Sequence, residues 1–170
     1  MTTLEERLVR LEARAAIEDL VVAYFLAADA DDDLGVGASF TEDAQFLSSG
    51  VLNATGRQGI VDFIRKARDQ MGLTVHTPHY TQVTFQSPAD AHGLVGAHLE
   101  LVLGGSSVYG AVRYADHYIQ REGRWLIRSR DMRTIFMAAW SDVGNALSSV
   151  TPVRWPGAAP ARSDYPRKPT

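Results

Sequence analysis

Gly93-Leu94-Val95-Gly96-Ala97-His98-Leu99-Glu100-Leu101-Val102-Leu103, the pair Gly104-Gly105, and Ser106-Ser107-Val108-Tyr109-Gly110-Ala111-Val112-Arg113-Tyr114-Ala115-Asp116-His117-Tyr118-Ile119-Gln120 decide the fold. Two long strand-like runs joined by a two-glycine turn predict an antiparallel hairpin. The same pattern extends on both sides. Val75–Gln86 precedes it, and Trp125–Met137 follows after the turn Arg121-Glu122-Gly123-Arg124.

Before Gly72 the period is 3.6 rather than 2. Thr2 and Thr3 precede Glu5 and Glu6 at capping-box spacing, so a helix is predicted to start there and run to about Asp29. Leu4, Leu8, Leu11, Ala15, Val22, Phe25 and Leu26 form its apolar stripe. Asp31-Asp32-Asp33 opens a short second helix ending near Phe40, Thr41-Glu42-Asp43 reads as a turn, and Ala44 to Leu47 as a short strand. Gly50 to Gly56 is a hairpin or loop, and Arg57 to Met71 a third helix. Helices first and long antiparallel strands after them predict an α+β fold, with helices packed against a strongly curved sheet that encloses a pocket. The domain is expected over 1–140. Residues 141–170 form an irregular tail, since five of the seven prolines fall at or beyond Pro152.

At 170 residues, 45% hydrophobic and 22% charged, the chain suits one globular domain. A net charge of −3 gives no electrostatic case for nucleic acid or an anionic membrane. No apolar run approaches the roughly 20 residues that span a bilayer. The charged, helical pattern at the N-terminus is not the pattern expected of a signal peptide, and a cytoplasmic address is expected. Without cysteine there is no disulfide, thiolate nucleophile or Cys-ligated zinc.

Two residues look misplaced for a plain core. Asp29 ends the long apolar helix within its stripe, and His79 heads the alternating run His79-Tyr80-Thr81-Gln82-Val83-Thr84-Phe85. A carboxylate that orients an imidazole makes a general base, because it fixes the tautomer and stabilises the imidazolium. His76 is the alternative to His79, since the two flank Pro78 where the strand begins irregularly. Tyr24 lies on the helix that carries Asp29 and could donate a hydroxyl. Arg128 and Arg130 share strand parity, and either could meet an anionic intermediate or pair with Asp131 or Asp116. His98 with Glu100, and Arg113 with His117, also share parity. Pairs on one strand are common on solvated faces, so no metal and no cofactor are expected. Gly104-Gly105 lacks a following helix and is no phosphate cradle.

Ala16-Ile17-Glu18-Asp19-Leu20 leading to Asp29, Phe40-Thr41-Glu42-Asp43-Ala44, His79-Tyr80, Tyr114-Ala115-Asp116, and Glu122-Gly123-Arg124-Trp125 followed by Arg130 carry a resemblance. In their order and spacing the chain resembles the SnoaL-like, scytalone-dehydratase-like branch of the nuclear-transport-factor-2-like superfamily, over roughly Leu4 to Ala139. The resemblance implies a cone-shaped α+β domain. Its hexachlorocyclohexane dehydrochlorinase-type members imply catalytic roles for Asp29, His79 and Arg130. The helical Lys used by some of them is absent here, because Val22 to Ala28 carries none.

The resulting expectation is a cofactor-independent lyase or isomerase acting on a small hydrophobic molecule with an acidic C–H, such as a hydroxylated polyketide, steroid or aromatic compound. His79 removes the proton, Asp29 stabilises the imidazolium, and Tyr24 or Arg130 steadies the developing oxyanion or leaving group. The competing readings are a non-catalytic small-molecule-binding or assembly module of the same fold, or the small subunit of a larger oxygenase. A homodimer or homotrimer is expected, burying the sheet face of 95–103 and 108–119. In the tail, Trp155 is expected to be anchored on the domain.

Overall fold

The computed structural model describes residues 3–165; Thr2 and the last residues of the tail lie outside them. Helix α1 spans Leu4–Asp29 and starts on a capping box. Thr3 Oγ1 accepts from the Glu6 amide at 3.1 Å, and the Glu6 carboxylate accepts from the Thr3 amide at 2.8 Å. Helix α2 is Asp33–Ala38, capped by Asp32, and α3 is Arg57–Arg68. The strands are β1 Phe40–Ser48, β2 Val51–Thr55, β3 Met71–Ser87, β4 Asp90–Leu103, β5 Ser106–Arg121 and β6 Arg124–Ala139. A single 3₁₀ turn, Trp140–Asp142, leads into the short α4, Val143–Leu147.

The strands form one sheet in the order β2-β1-β6-β5-β4-β3, antiparallel except where β1 runs parallel to β6. Strands β2 and β3 are its edges. The sheet is therefore open and curved rather than closed, with α1 packed on β3 and β6, and α3 on β1 and β2. The turn Gly104-Gly105, with φ of 57° and 78°, and Glu122-Gly123, with φ of 50° and 77°, adopt the left-handed pair that tight hairpins require. Thr41-Glu42-Asp43, expected as a turn, lies inside β1, where the register against β6 skips from Phe40 to Gln45.

The apolar stripe expected to face the core mostly does not. Leu4, Leu11 and Leu26 are 79%, 63% and 66% exposed, and of the seven stripe residues only Phe25 is buried. The buried face is Ile17, Val21, Tyr24, Phe25 and Ala28, rotated around the same helix. It packs on inward residues such as Val95, Ala97 and Leu99 of β4 and Val112 and Tyr114 of β5.

Bulges decide which strand residues join them. One lies between Pro78 and Tyr80 on β3, another at Arg128 on β6. Each adds a residue, so the inward parity switches on passing it. The tail is attached rather than loose. Its Val153 makes a parallel bridge with Met137 on β6 and an antiparallel one with Ala161, and Trp155 is half-buried against the core. The Asp164 carboxylate accepts from the Thr134 amide and the Ser49 hydroxyl, both at 2.7 Å.

Candidate active site

Asp29 ends α1 with its side chain turned toward the start of β3. One carboxylate oxygen, Oδ1, lies 2.6 Å from Nδ1 of His76 and accepts the Thr74 hydroxyl at 3.0 Å. The other, Oδ2, accepts the His76 amide at 2.8 Å. Arg68, at the end of α3, donates in turn to Thr74 Oγ1 and to Asp31 at 2.6 Å. Thr74 and His76 face the same way because they stand two residues apart on a strand. Phe25, one helical turn before Asp29, stacks on the His76 ring with centroids 4.9 Å apart and 15° between planes.

Burial pushes the Asp29 carboxyl up, but the hydrogen bonds from the His76 ring, the His76 amide and Thr74 outweigh it and hold the group below the usual carboxylate value. A carboxylate facing Nδ1 favours the tautomer with the proton on Nδ1, which leaves the lone pair on Nε2. Among the described residues Nε2 has no protein partner. The His76 and Asp29 side chains keep 17% and 21% of their exposure, so the pair is not sealed from solvent.

His79, the first choice from sequence, does not meet Asp29. It occupies the bulge between Pro78 and Tyr80 and is exposed. Its ring meets His98 edge-on at 4.2 Å. His98 pairs with Thr77 and so stands on the opposite face from His76. The extra residue of the bulge breaks the alternation that His79 heads and leaves it exposed. His76, on the near side of the bulge, takes that place.

Arg130 is sealed in the interior. It donates from Nε and one terminal nitrogen to the two oxygens of Asp116, at 2.8 and 2.7 Å, and both side chains are 0% exposed. Tyr118 also donates to Asp116, at 2.6 Å. Its ring lies so close to Gly93 that a Cβ there would approach it to 2.5 Å, which explains the glycine opposite Asp116. The guanidinium carbon sits 4.2 Å from the Tyr24 ring centroid and 4.7 Å from that of Tyr114. Burial alone would lower the Arg130 pKa, but the Asp116 carboxylate reverses this and keeps the group charged. Among the described residues the remaining terminal nitrogen, Nη1, is buried without a partner. Burial also raises the Tyr24 phenol, against the pull of Arg130, so it stays protonated. Arg128, of the same sequence parity as Arg130, lies at the β6 bulge and pairs with Asp43 at 3.4 Å on the surface.

The space inside the curve of the sheet is thus filled around Phe25, Tyr24, Tyr114 and Arg130. A cleft of about 270 Å³ opens between α1, α2 and α3, bounded by Ala28, Ile64 and Arg68, and neither Asp29 nor His76 lines it. Its rim carries Asp31, Asp33 and Arg65, so it is more polar than the apolar pocket expected from sequence. Sequence reasoning missed Thr74 and Arg68. The parity of Thr74 with His76 was the available signal for the first; nothing local pointed to the second.

The chain matches the SnoaL-like domain over residues 9–131. It is 27% identical over 128 residues to gamma-hexachlorocyclohexane dehydrochlorinase of Sphingobium indicum, spanning 74% of this chain and 82% of that protein. Among solved structures it resembles a hexachlorocyclohexane dehydrochlorinase from Novosphingobium barchaimii, with TM-score 0.73, 22% identity, and coverage of 79% and 94%. It also resembles a scytalone-dehydratase-like protein from Novosphingobium aromaticivorans, with TM-score 0.72, 19% identity, and coverage of 78% and 90%. Both structural likenesses have the helices-on-curved-sheet architecture described above. With the domain matched over most of its length, the chain belongs to the SnoaL-like domain family.

Proposed function

We propose that the protein is a cofactor-independent lyase or isomerase in which His76 is the general base and Asp29 orients it. The observation that carries the reading is the 2.6 Å contact between Asp29 Oδ1 and His76 Nδ1, with Nε2 left unpartnered. In this reading Nε2 takes a proton from an acidic C–H of a small hydrophobic substrate. Asp29 stays ionised and stabilises the imidazolium that forms, and Thr74 and Arg68 keep the carboxylate in place. Phe25 fixes the plane of the ring. The similarity to a dehydrochlorinase and to a scytalone-dehydratase-like protein supports elimination chemistry as the class.

The state of Arg130 narrows the class. Its charge is balanced by Asp116 in the sealed interior, so the pair presents no free cation to a departing halide. Together with the missing helical Lys, this favours dehydration or enolisation over loss of chloride.

The test is proton exchange. Cyclic and aromatic hydroxyketones are incubated with the protein in D₂O and followed by NMR for α-deuteration or loss of water. Catalysed exchange should fall by about 10²–10⁴ in His76→Ala. It should be unchanged in His79→Ala. Saturable binding with no exchange or elimination across the panel would favour the binding-module reading instead.

We also propose self-association. The outward stripe of α1 keeps Leu4, Leu8, Leu11, Val22 and Leu26 exposed, an apolar surface of the kind that a second copy covers.

A further inference from the structure

We infer that Asp90, His92 and His117 form a binding site for a divalent late-transition metal ion, on the face of the sheet opposite the Asp29–His76 pair. His92 on β4 pairs directly with His117 on β5, so the two rings rise side by side from neighbouring strands. Their planes are 16° apart and their centroids 4.6 Å apart. Asp90, two residues before His92, shares its face, and its carboxylate oxygen Oδ2 lies 2.9 Å from Nε2 of His117. One ligand atom from each of the three lies within 4.8 Å of the others.

Around tetrahedral zinc, with bonds of about 2.0–2.1 Å, donor atoms lie roughly 3.3–3.5 Å apart. Small side-chain rotations close the remaining gap, and His92 is exposed and free to make them. Two imidazoles and one carboxylate are a donor set that suits zinc, nickel, copper or iron and leaves positions open for water. An ordinary ion pair accounts for Asp90 with His117. It does not account for the second imidazole held parallel against the first, since two such rings repel when both are charged. A metal ion accounts for all three.

The ion would tie the first residues of β4 to β5. His117 is also the neighbour of Asp116, whose side chain holds Arg130 on the other face, so the clamp would stiffen the strand that positions the interior pair. His117 joins Asp90 and His92 only across strands, which is why parity along one strand did not reveal the site. No step of the proposed proton transfer passes through it.

The experiment titrates the full chain with ZnCl₂ by calorimetry, follows thermal unfolding by circular dichroism, and records the visible spectrum with Co²⁺. We expect one equivalent of Zn²⁺ to bind, a melting temperature raised by several degrees, and d–d absorption with Co²⁺. Mg²⁺, which prefers oxygen ligands, should not compete. Affinity should fall at least about tenfold in His92→Ala and in His117→Ala, and stay unchanged in His79→Ala. His92 is exposed, so its variant should fold normally and decides the matter if His117→Ala does not. Absence of saturable Zn²⁺ binding would overturn the inference, as would binding that survives His92→Ala or is lost in His79→Ala.

Discussion

Two carboxylates on inner surfaces of this domain each hold a cationic or ionisable partner, yet they are built for different purposes. Asp116 and Arg130 are wholly enclosed, doubly hydrogen-bonded, and surrounded by Tyr24, Tyr114 and Tyr118. Asp29 and His76 sit at the mouth of the same interior, about one-fifth exposed, with one ring nitrogen unspoken for. The sealed pair has almost no freedom to change charge without breaking the fold. The open pair can gain and lose a proton. Position relative to solvent, rather than residue type, separates the structural pair from the proposed catalytic one.

Removing one partner of the sealed pair should have the largest effect. Asp116→Ala leaves a buried guanidinium uncompensated and should cost about 3–5 kcal/mol in urea unfolding. Replacing both partners by apolar residues of similar size should recover much of that loss. An Asp116→Ala protein as stable as wild type would erase the distinction between the pairs. The open pair should behave in the opposite way. Asp29→Asn should lower proton-transfer activity by about 10²–10⁴ while costing far less stability than Asp116→Ala. Equal losses of stability in the two variants would contradict the account.

Acid stability sharpens the comparison further. The Asp29 carboxyl is held below its ordinary value of 3.8, so it stabilises the fold at pH above that value. The contribution is lost as pH falls through the lower folded value. Unfolding free energies of wild type and Asp29→Asn should therefore converge below about pH 4. A difference that persists unchanged to the lowest accessible pH would show that Asp29 acts by some other route.

How much of this was legible follows from the range of each signal. Helix α1 and the strand hairpins were readable because capping, period and two-residue turns are local. The face of α1 was not. Leu4, Leu8, Leu11, Val22 and Leu26 make a tighter stripe than the one the core selects, and only the packed sheet shows that Ile17, Val21 and Ala28 face inward. The choice between His76 and His79, and the parting of Arg128 from Arg130, both turn on single-residue bulges that reverse parity. Composition gives no warning of those. The aromatic box around Arg130 gathers residues from α1, β5 and β6, and so lay beyond any local pattern.

The tail offers a smaller effect. Val153 and Asp164 bind the C-terminal part of β6, past the end of its pairing with β1, so truncation after Val150 should lower stability by about 1–3 kcal/mol. An unchanged melting temperature would mean these contacts contribute nothing. Smallest of all, chelation should leave proton transfer unaltered, because no group in the Asp29–His76 arrangement depends on a metal. Loss of activity with EDTA would break that separation.

The central claim is that Asp29 fixes the His76 ring with its proton on Nδ1 and its lone pair on Nε2. Long-range ¹H–¹⁵N correlation spectra of imidazole-labelled protein at neutral pH read that arrangement directly, with His76→Gln supplying the assignment. The account predicts the Nδ1-protonated tautomer in the wild type and a mixture of tautomers in Asp29→Asn. A wild-type ring protonated at Nε2 alone, with the lone pair facing Asp29, would contradict it.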